Sequence, residues 1–290
     1  MSGGPTFDLQ SHSICSDGAC PPAEVVARAA AAGVELLALT DHDTVEGVDA
    51  ALAAAAGRGI RVVPAAELSS VDGVYDDLHV LGYGFDHRDA GLLAALDAFR
   101  ADREARAARM TAALREAGIE VDEEPLAARR AAGQPIGRPH LAQAALAHPA
   151  NAARLREEGI GEVGAFIEAY LVAGRPGFRP RTTPTVEEAI GVIHDAGGLA
   201  VWAHPFWDLA EPGDVSAAIA RFAGFGLDGV EAFYVTHTRE QTLFAADACA
   251  ERGLLATGSS DFHGPEHRLF SRFRAFALHG REPALGPLAG

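Results

Sequence analysis

The 290 residues contain 24 arginines, no lysine and 40 acidic side chains, for a formal net charge of −16. Without lysine there is no Schiff-base or P-loop chemistry, and so acidic a surface repels a long nucleic-acid duplex. An apolar fraction of 48% can fill a core, and no run of 18 uncharged apolar residues predicts a membrane span.

Taken in chain order, the first strand is expected at 6–10, a helix at 23–32 stopped by Gly33, and a buried strand at 34–40. A helix at 46–57 and strands at 60–67 and 78–85 follow. The alternation then breaks. Residues 91–117 form a long Arg- and Ala-rich helical run. A Gly-, Pro- and charge-rich stretch continues to about 183, with helical pieces near 139–147 and 161–172. From 185 the alternation resumes. Thr185 and Glu188 fit a capping box for a helix ending at Gly197–Gly198. Then come strand 199–203, a helix near 214–223, strand 228–233, helix 238–251 and strand 254–257. About seven strands linked mostly by helices predict a parallel α/β sheet, either closed as a barrel or doubly wound. The expected domains are a barrel from 1–94 and 181–290 and an inserted helical, substrate-capping domain at 95–180.

In such a barrel the chemistry sits at the C-terminal ends of strands. His12 follows the first strand, Asp41, His42 and Asp43 end the second, and Glu67 ends the third. His204 ends 199–203, and Asp261 and His263 follow the last strand. His79 lies near the start of its strand, which suggests an antiparallel connection there. Five strand ends bearing His, Asp or Glu would need many separate partners as buried polar groups, whereas one set of cations satisfies them together. Imidazole with carboxylate and no thiolate suits Mn, Zn or Fe, and clustered divalent ions suit phosphoryl transfer to water. Cys15, Cys20 and Cys249 are an odd set without zinc-finger spacing. With no signal pattern in MSGGPTFDLQ, they predict a reducing, cytoplasmic location.

The segments Asp8-Leu9-Gln10-Ser11-His12-Ser13, Ser16-Asp17-Gly18, Thr40-Asp41-His42-Asp43, Glu67 in AAELS, His79 in DLHVLGYG, His204 in AHP and Asp261-Phe262-His263 follow one another in a known order. They resemble the PHP (polymerase and histidinol phosphatase) family. The resemblance is greatest to its stand-alone branch, which hydrolyses nucleoside 3′,5′-bisphosphates and short 5′-phosphorylated oligonucleotides. Gly137-Arg138-Pro139-His140 and Tyr170-Leu171 leading to Gly174-Arg175-Pro176-Gly177-Phe178 match that branch's insertion.

The resemblance implies a distorted, TIM-like (β/α)7 barrel with a helical insertion and two to three divalent ions, Mn, Zn or Fe, without an organic cofactor. It implies that His12, Glu67 and Asp261 serve one ion, that Glu67 bridges to a second held by His79 and His204, and that Asp17, His42 and His263 serve a third. Gln10 stands where the family has histidine and, two residues from His12 on a strand, still faces the site. Arg138, His140, Arg175 and His237 are expected at the substrate, and Asp41, His204 and His237 as acids for the leaving group. The expected partner is a small phosphorylated substrate, a nucleotide or short oligonucleotide, with no membrane and no long duplex. Two rival readings stay open. One is a phosphatase for another small ester such as histidinol phosphate. The other is a non-catalytic metal- or nucleotide-binding module, for which Gln10 is the evidence.

Overall fold

The computed structural model describes residues 5–73, 75, 78–131 and 134–290. Residues 1–4 of the N-terminal stretch and Asp77 of the DLHVLGYG segment lie outside them. The chain forms two compact units, Met1–Asp97 with Pro184–Gly290, and Ala98–Thr183.

In chain order the elements run β1 (Phe7–Asp8), α1 (Pro22–Ala31), β2 (Leu36–Leu39), α2 (Val48–Ala55), β3 (Arg61–Ser70), β4 (Leu78–Tyr83) and α3 (Ala90–Glu116). Next come α4 (Glu123–Ala131), α5 (Arg138–Ala147), α6 (Ala152–Glu157), α7 (Val163–Phe166) and a π-helical turn, Ile167–Leu171. The chain then gives α8 (Val186–Asp195), β5 (Leu199–Trp202), α9 (Pro205–Asp208), α10 (Pro212–Ala223), β6 (Gly229–Tyr234), α11 (Arg239–Arg252) and β7 (Leu255–Ser259).

The seven strands lie side by side in sequence order. Leu9 N–H donates to Gly258 O at 3.1 Å and His12 N–H to Phe262 O at 2.8 Å, so the first and last strands meet and the sheet nearly closes. β2 is buried along its whole length, as expected where helices cover one face and a barrel interior the other. Its Leu37 and Leu39 pack with Val25, Val26 and Phe262.

The sheet is mixed, parallel except around one strand. β4 runs antiparallel to both β3 and β5, as the position of His79 suggested. The connection 71–77 is too short for the crossover that parallel neighbours need. β3 is also longer than expected, so Glu67 does not end it. Arg61–Pro64 pairs with β2, and Ala65–Ser70 continues along β4, with Glu67 opposite Leu81. Thr185 caps α8 as predicted: Glu188 N–H donates to its hydroxyl at 3.1 Å, and Thr185 N–H donates to Glu188 Oε2 at 2.8 Å.

The second unit has its own core of Met110, Leu114, Ile119, Leu141, Phe166, Tyr170 and Leu171. The helices α4 and α6 were not anticipated. Among the described residues no helix is long and apolar enough to cross a membrane.

Candidate metal centre

Backbone conformation shapes the site before any ligand does. Asp43 (φ 53°), His204 (φ 29°) and Asp261 (φ 53°) are three of only five non-glycine residues with positive φ among those described. Such strain of about 1–3 kcal/mol each persists where the surroundings over-determine it. Buried carboxylates provide that surrounding. Asp8 accepts from Ser260 N–H, Ser260 Oγ–H and Arg274 N–H at 2.6–2.8 Å. Asp43 accepts from Ser69 N–H at 2.9 Å. Glu231 accepts from His204 N–H at 3.0 Å and Ser259 Oγ–H at 2.6 Å.

Asp41 holds the loop after His12. It accepts from Ser13 N–H at 2.7 Å, Ser13 Oγ–H at 2.7 Å and Ser16 Oγ–H at 2.6 Å. Gly18 closes this loop by donating to Ser13 O. A Cβ at position 18 would stand 2.3 Å from His12 O, so the Ser-Asp-Gly segment requires glycine. Asp17 is thereby fixed beside His12.

Glu67, 1% exposed, is the hub. Its Oε1 lies 2.6 Å from His79 Nδ1 and 3.2 Å from His204 Nε2. Its Oε2 lies 3.1 Å from His12 Nε2 and 3.5 Å from His42 Nδ1. His12 Nε2 also approaches Asp261 Oδ1 at 3.1 Å. Asp17 lies 3.5–3.6 Å from His12, His42 and His263. Three overlapping donor groups result: His12–Asp17–His263, His12–His42–Glu67 and Glu67–His79–His204.

The donor set fits cations better than a hydrogen-bonded network. His12 Nε2, Glu67 Oε2 and Asp261 Oδ1 are buried and close together, yet none makes a well-formed hydrogen bond. The nitrogens of His79 and His204 face each other at 3.3 Å. Two ligands of one tetrahedral ion at the usual nitrogen distance are about 3.3 Å apart.

Electrostatics agree. Burial opposes charge on His12, but Asp261, Glu67 and Asp17 outweigh it and hold its pKa well above the usual value. Burial likewise opposes charge on His204, yet Glu67 raises its pKa to about 9. Burial works against Asp261 too, but His263 and His12 lower it to about 2, and Glu67 is held well below the usual range by its histidines. Carboxylates this stable demand positive charge, either as protons on imidazoles or as metal ions.

The structure thus brings together His12, Asp17, His42, Glu67, His79, His204, Asp261 and His263 around a cavity of about 170 Å³, also lined by Trp207, Tyr234 and Phe270. Sequence reasoning missed Tyr234, whose hydroxyl donates to Asp261 Oδ2 at 2.7 Å, and the Glu231 and Asp8 supports. Two of the three acid candidates are not among the residues that line this cavity. Asp41 is committed to the Ser13 and Ser16 loop. His237 Nδ1 faces Ala232 O at 3.2 Å, and burial lowers its pKa to about 4. Arg138, His140 and Arg175 belong to the other compact unit. There Arg138 opens α5, His140 Nδ1 accepts from Gly137 N–H at 3.0 Å, and Arg175 Nε–H donates to Glu168 O at 3.1 Å.

Residues 8–122 match the PHP domain model. Over 263 residues the chain is 36% identical to a 3′,5′-nucleoside bisphosphate phosphatase of Chromobacterium violaceum, a match covering 89% of this chain and 87% of that protein. The chain belongs to the PHP family. It is also 33% identical over 262 residues to a 5′-3′ exoribonuclease of Haemophilus influenzae, covering 89% of this chain and 90% of that one. A solved structure from Bifidobacterium adolescentis, described as a metal-dependent phosphoesterase, superimposes with a TM-score of 0.74 at 27% identity. That match covers 92% of this chain and 91% of that one. These relatives and the His, Glu and Asp clusters together point to metal binding.

Against the PHP pattern Gln10 remains the departure. It is 1% exposed; its Oε1 lies 3.5 Å from Ser259 Oγ, whose proton goes to Glu231, and its Nε2 has no hydrogen-bond partner. Turning the amide over would let Nε2–H donate to Ser259 Oγ and free the carbonyl oxygen as a neutral donor. Restoring imidazole with Gln10→His is expected to tighten zinc about tenfold at one site, because nitrogen is the better donor for that ion. Competition against a chromogenic chelator measures it. Identical zinc affinity in both proteins would show that position 10 does not ligate.

Proposed function

We propose that this PHP member is a metal-dependent phosphoesterase that hydrolyses a phosphate ester of a nucleotide, either a nucleoside 3′,5′-bisphosphate or a short 5′-phosphorylated oligonucleotide. The observation that carries the reading is the convergence of four imidazoles on the two oxygens of Glu67 at the wall of a small cavity. The names of the relatives support the nucleotide as substrate. In this reading two or three Mn, Zn or Fe ions would be held by His12, Asp17, His42, Glu67, His79, His204, Asp261 and His263, with Gln10 at the first position.

When bound, such ions activate water and neutralise phosphate oxygens. The protein's own part is placement. Tyr234 orients Asp261, Asp41 fixes the loop that presents Asp17, and Glu231 anchors the backbone of His204. His237 is uncharged at neutral pH, so it suits a hydrogen bond to a phosphate oxygen rather than proton delivery. Arg138 and Arg175 of the helical unit, with His140 beside Arg138, are proposed to recognise the second phosphate, for which a planar guanidinium is matched.

The test is a substrate panel on chelated protein reloaded with Mn²⁺, Zn²⁺, Fe²⁺ or Mg²⁺. Adenosine 3′,5′-bisphosphate or a 5′-phosphorylated dinucleotide should exceed a nucleoside monophosphate in kcat/KM by roughly tenfold or more. That corresponds to one charge-assisted contact of about 1.5–3 kcal/mol. Arg138→Ala should erase the preference without loss of metal. Equal rates on all esters, histidinol phosphate included, would favour the small-ester phosphatase. No turnover with any metal would leave a binding module.

A further inference from the structure

The metal cavity is too small for the proposed substrate. At about 170 Å³ it has room for cations and one phosphate group, whereas pockets that enclose an organic ligand run from about 300 to 1,000 Å³. The nucleoside must therefore rest on the rim. One side of the rim is a groove of about 410 Å³ lined by Asp17, Glu24, Glu266, His263 and His267. Its three carboxylates repel any further phosphate.

The rim also carries Trp207. It lines the cavity and is nonetheless 53% exposed, the most exposed of the large apolar side chains among the described residues. A single exposed aromatic is ordinary on a protein surface; this one is built in. It sits on α9, three residues after His204, and its backbone N–H donates to His204 O at 2.8 Å. Phe270 supports the indole at 5.9 Å and 51°, and Tyr234 at 6.5 Å and 85°. Phe270 is itself stacked on His267 at 4.9 Å and 12°. A braced indole with half its surface open, at the mouth of a phosphate-sized cavity, matches a planar aromatic group attached to that phosphate through a short linker.

We propose that Trp207 is the shelf on which the nucleobase stacks, so that the barrel unit itself selects aromatic nucleotides over sugar phosphates. The inference rests on the phosphoesterase reading, and the experiment has two arms that separate them. The first arm needs no turnover. The chain's two tryptophans are Trp202, fully buried against Phe222, and Trp207. AMP added to the metal-loaded protein should quench the emission of Trp207, while ribose 5-phosphate should not. Trp207→Phe should abolish the quench while calorimetry shows AMP affinity retained, since phenylalanine still stacks.

The second arm is kinetic. Trp207→Ala should lower kcat/KM for the nucleotide relative to that for ribose 5-phosphate by roughly ten- to a hundredfold, the range of one base–aromatic stack. Circular dichroism checks the fold; should the alanine variant not fold, Trp207→Leu replaces it. A ratio unchanged in the folded variant, or equal quenching by ribose 5-phosphate, overturns the shelf. Failure of wild type to hydrolyse either ester overturns the phosphoesterase reading instead, and the quenching arm still decides whether the base lies on Trp207.

Discussion

Replacing Glu67 with glutamine is expected to strip the site of metal and reduce phosphatase activity more than any other single change of similar volume. Both of its oxygens are surrounded by imidazole nitrogens, His79 and His204 on one side and His12 and His42 on the other. Removal of one carboxylate charge therefore weakens two donor groups at once. The loss of metal affinity should exceed the roughly 10- to 100-fold typical of changes behind the ligands. Glutamine keeps the shape, so packing is not the cause.

The metal-free protein should also suffer. An imidazolium left without its buried carboxylate costs about 3–5 kcal/mol unless it loses its proton. Elemental analysis and thermal melting with and without chelator measure both effects. A Glu67→Gln protein with full metal and full turnover would remove Glu67 from the centre of the site.

Metal-free and metal-loaded protein should respond to pH in opposite directions. His204 has its pKa raised to about 9, and that of His12 is also raised, so both hold protons in the metal-free fold at neutral pH. A group raised on folding contributes stability that is fully present below its unfolded pKa and is lost as pH rises through the folded value. The buried carboxyls act in the same sense. Burial raises Asp8 to about 7 and Glu231 to about 8, so each favours the folded state less as it ionises. Chelated protein should therefore melt at falling temperature between about pH 6 and about pH 9.

Cations must displace the imidazole protons, so metal affinity should rise over the same window by about tenfold per pH unit for each proton released. Asp261, lowered to about 2, stays ionised throughout and adds nothing to the slope. Melting curves with chelator, and metal titrations in the same buffers, give both slopes. A flat melting temperature together with a pH-independent affinity would mean that these histidines carry no protons in the metal-free fold.

The parts of the site legible in the sequence are those where chemistry and strand ends coincide. His12, His42, His204 and Asp261 each follow an apolar run, and local pattern suffices to place such residues at one end of a barrel. The sequence offers Glu67 as a candidate ligand at the end of a strand, whereas the strand runs on to Ser70. Nothing local distinguishes a strand that stops at 67 from one that changes partner at 65 and continues to 70. His79 gave that partner away, since a ligand at the start of a strand is at the active end only if the strand is reversed.

The supports were out of reach for a different reason. Asp8, Asp41 and Glu231 act on residues up to 266 positions away, and one sequence carries no trace of such pairings. The helix α4 was legible in principle, with Glu123 and Glu124 in its first turn and Arg129 and Arg130 in its last, a charge order that complements the helix dipole. Pro125 and the surrounding charge obscured it.

The seam between the first and last strands has a consequence for when the protein can acquire its metal. His12 lies on one side of that seam and Asp261 and His263 on the other, and the backbone crosses it where Leu9 meets Gly258, Ser11 and His12 meet Phe262, and Ala19 meets His263. A chain still emerging from the ribosome has His12, Asp17, His42 and Glu67 long before it has residues 261 and 263. Closing so long a loop is entropically affordable, because each doubling of its length adds only about 0.6 kcal/mol, but the contacts that reward closure come last. The donor group His12–Asp17–His263 is then complete only once the barrel is finished, whereas His12–His42–Glu67 needs nothing from the last strand.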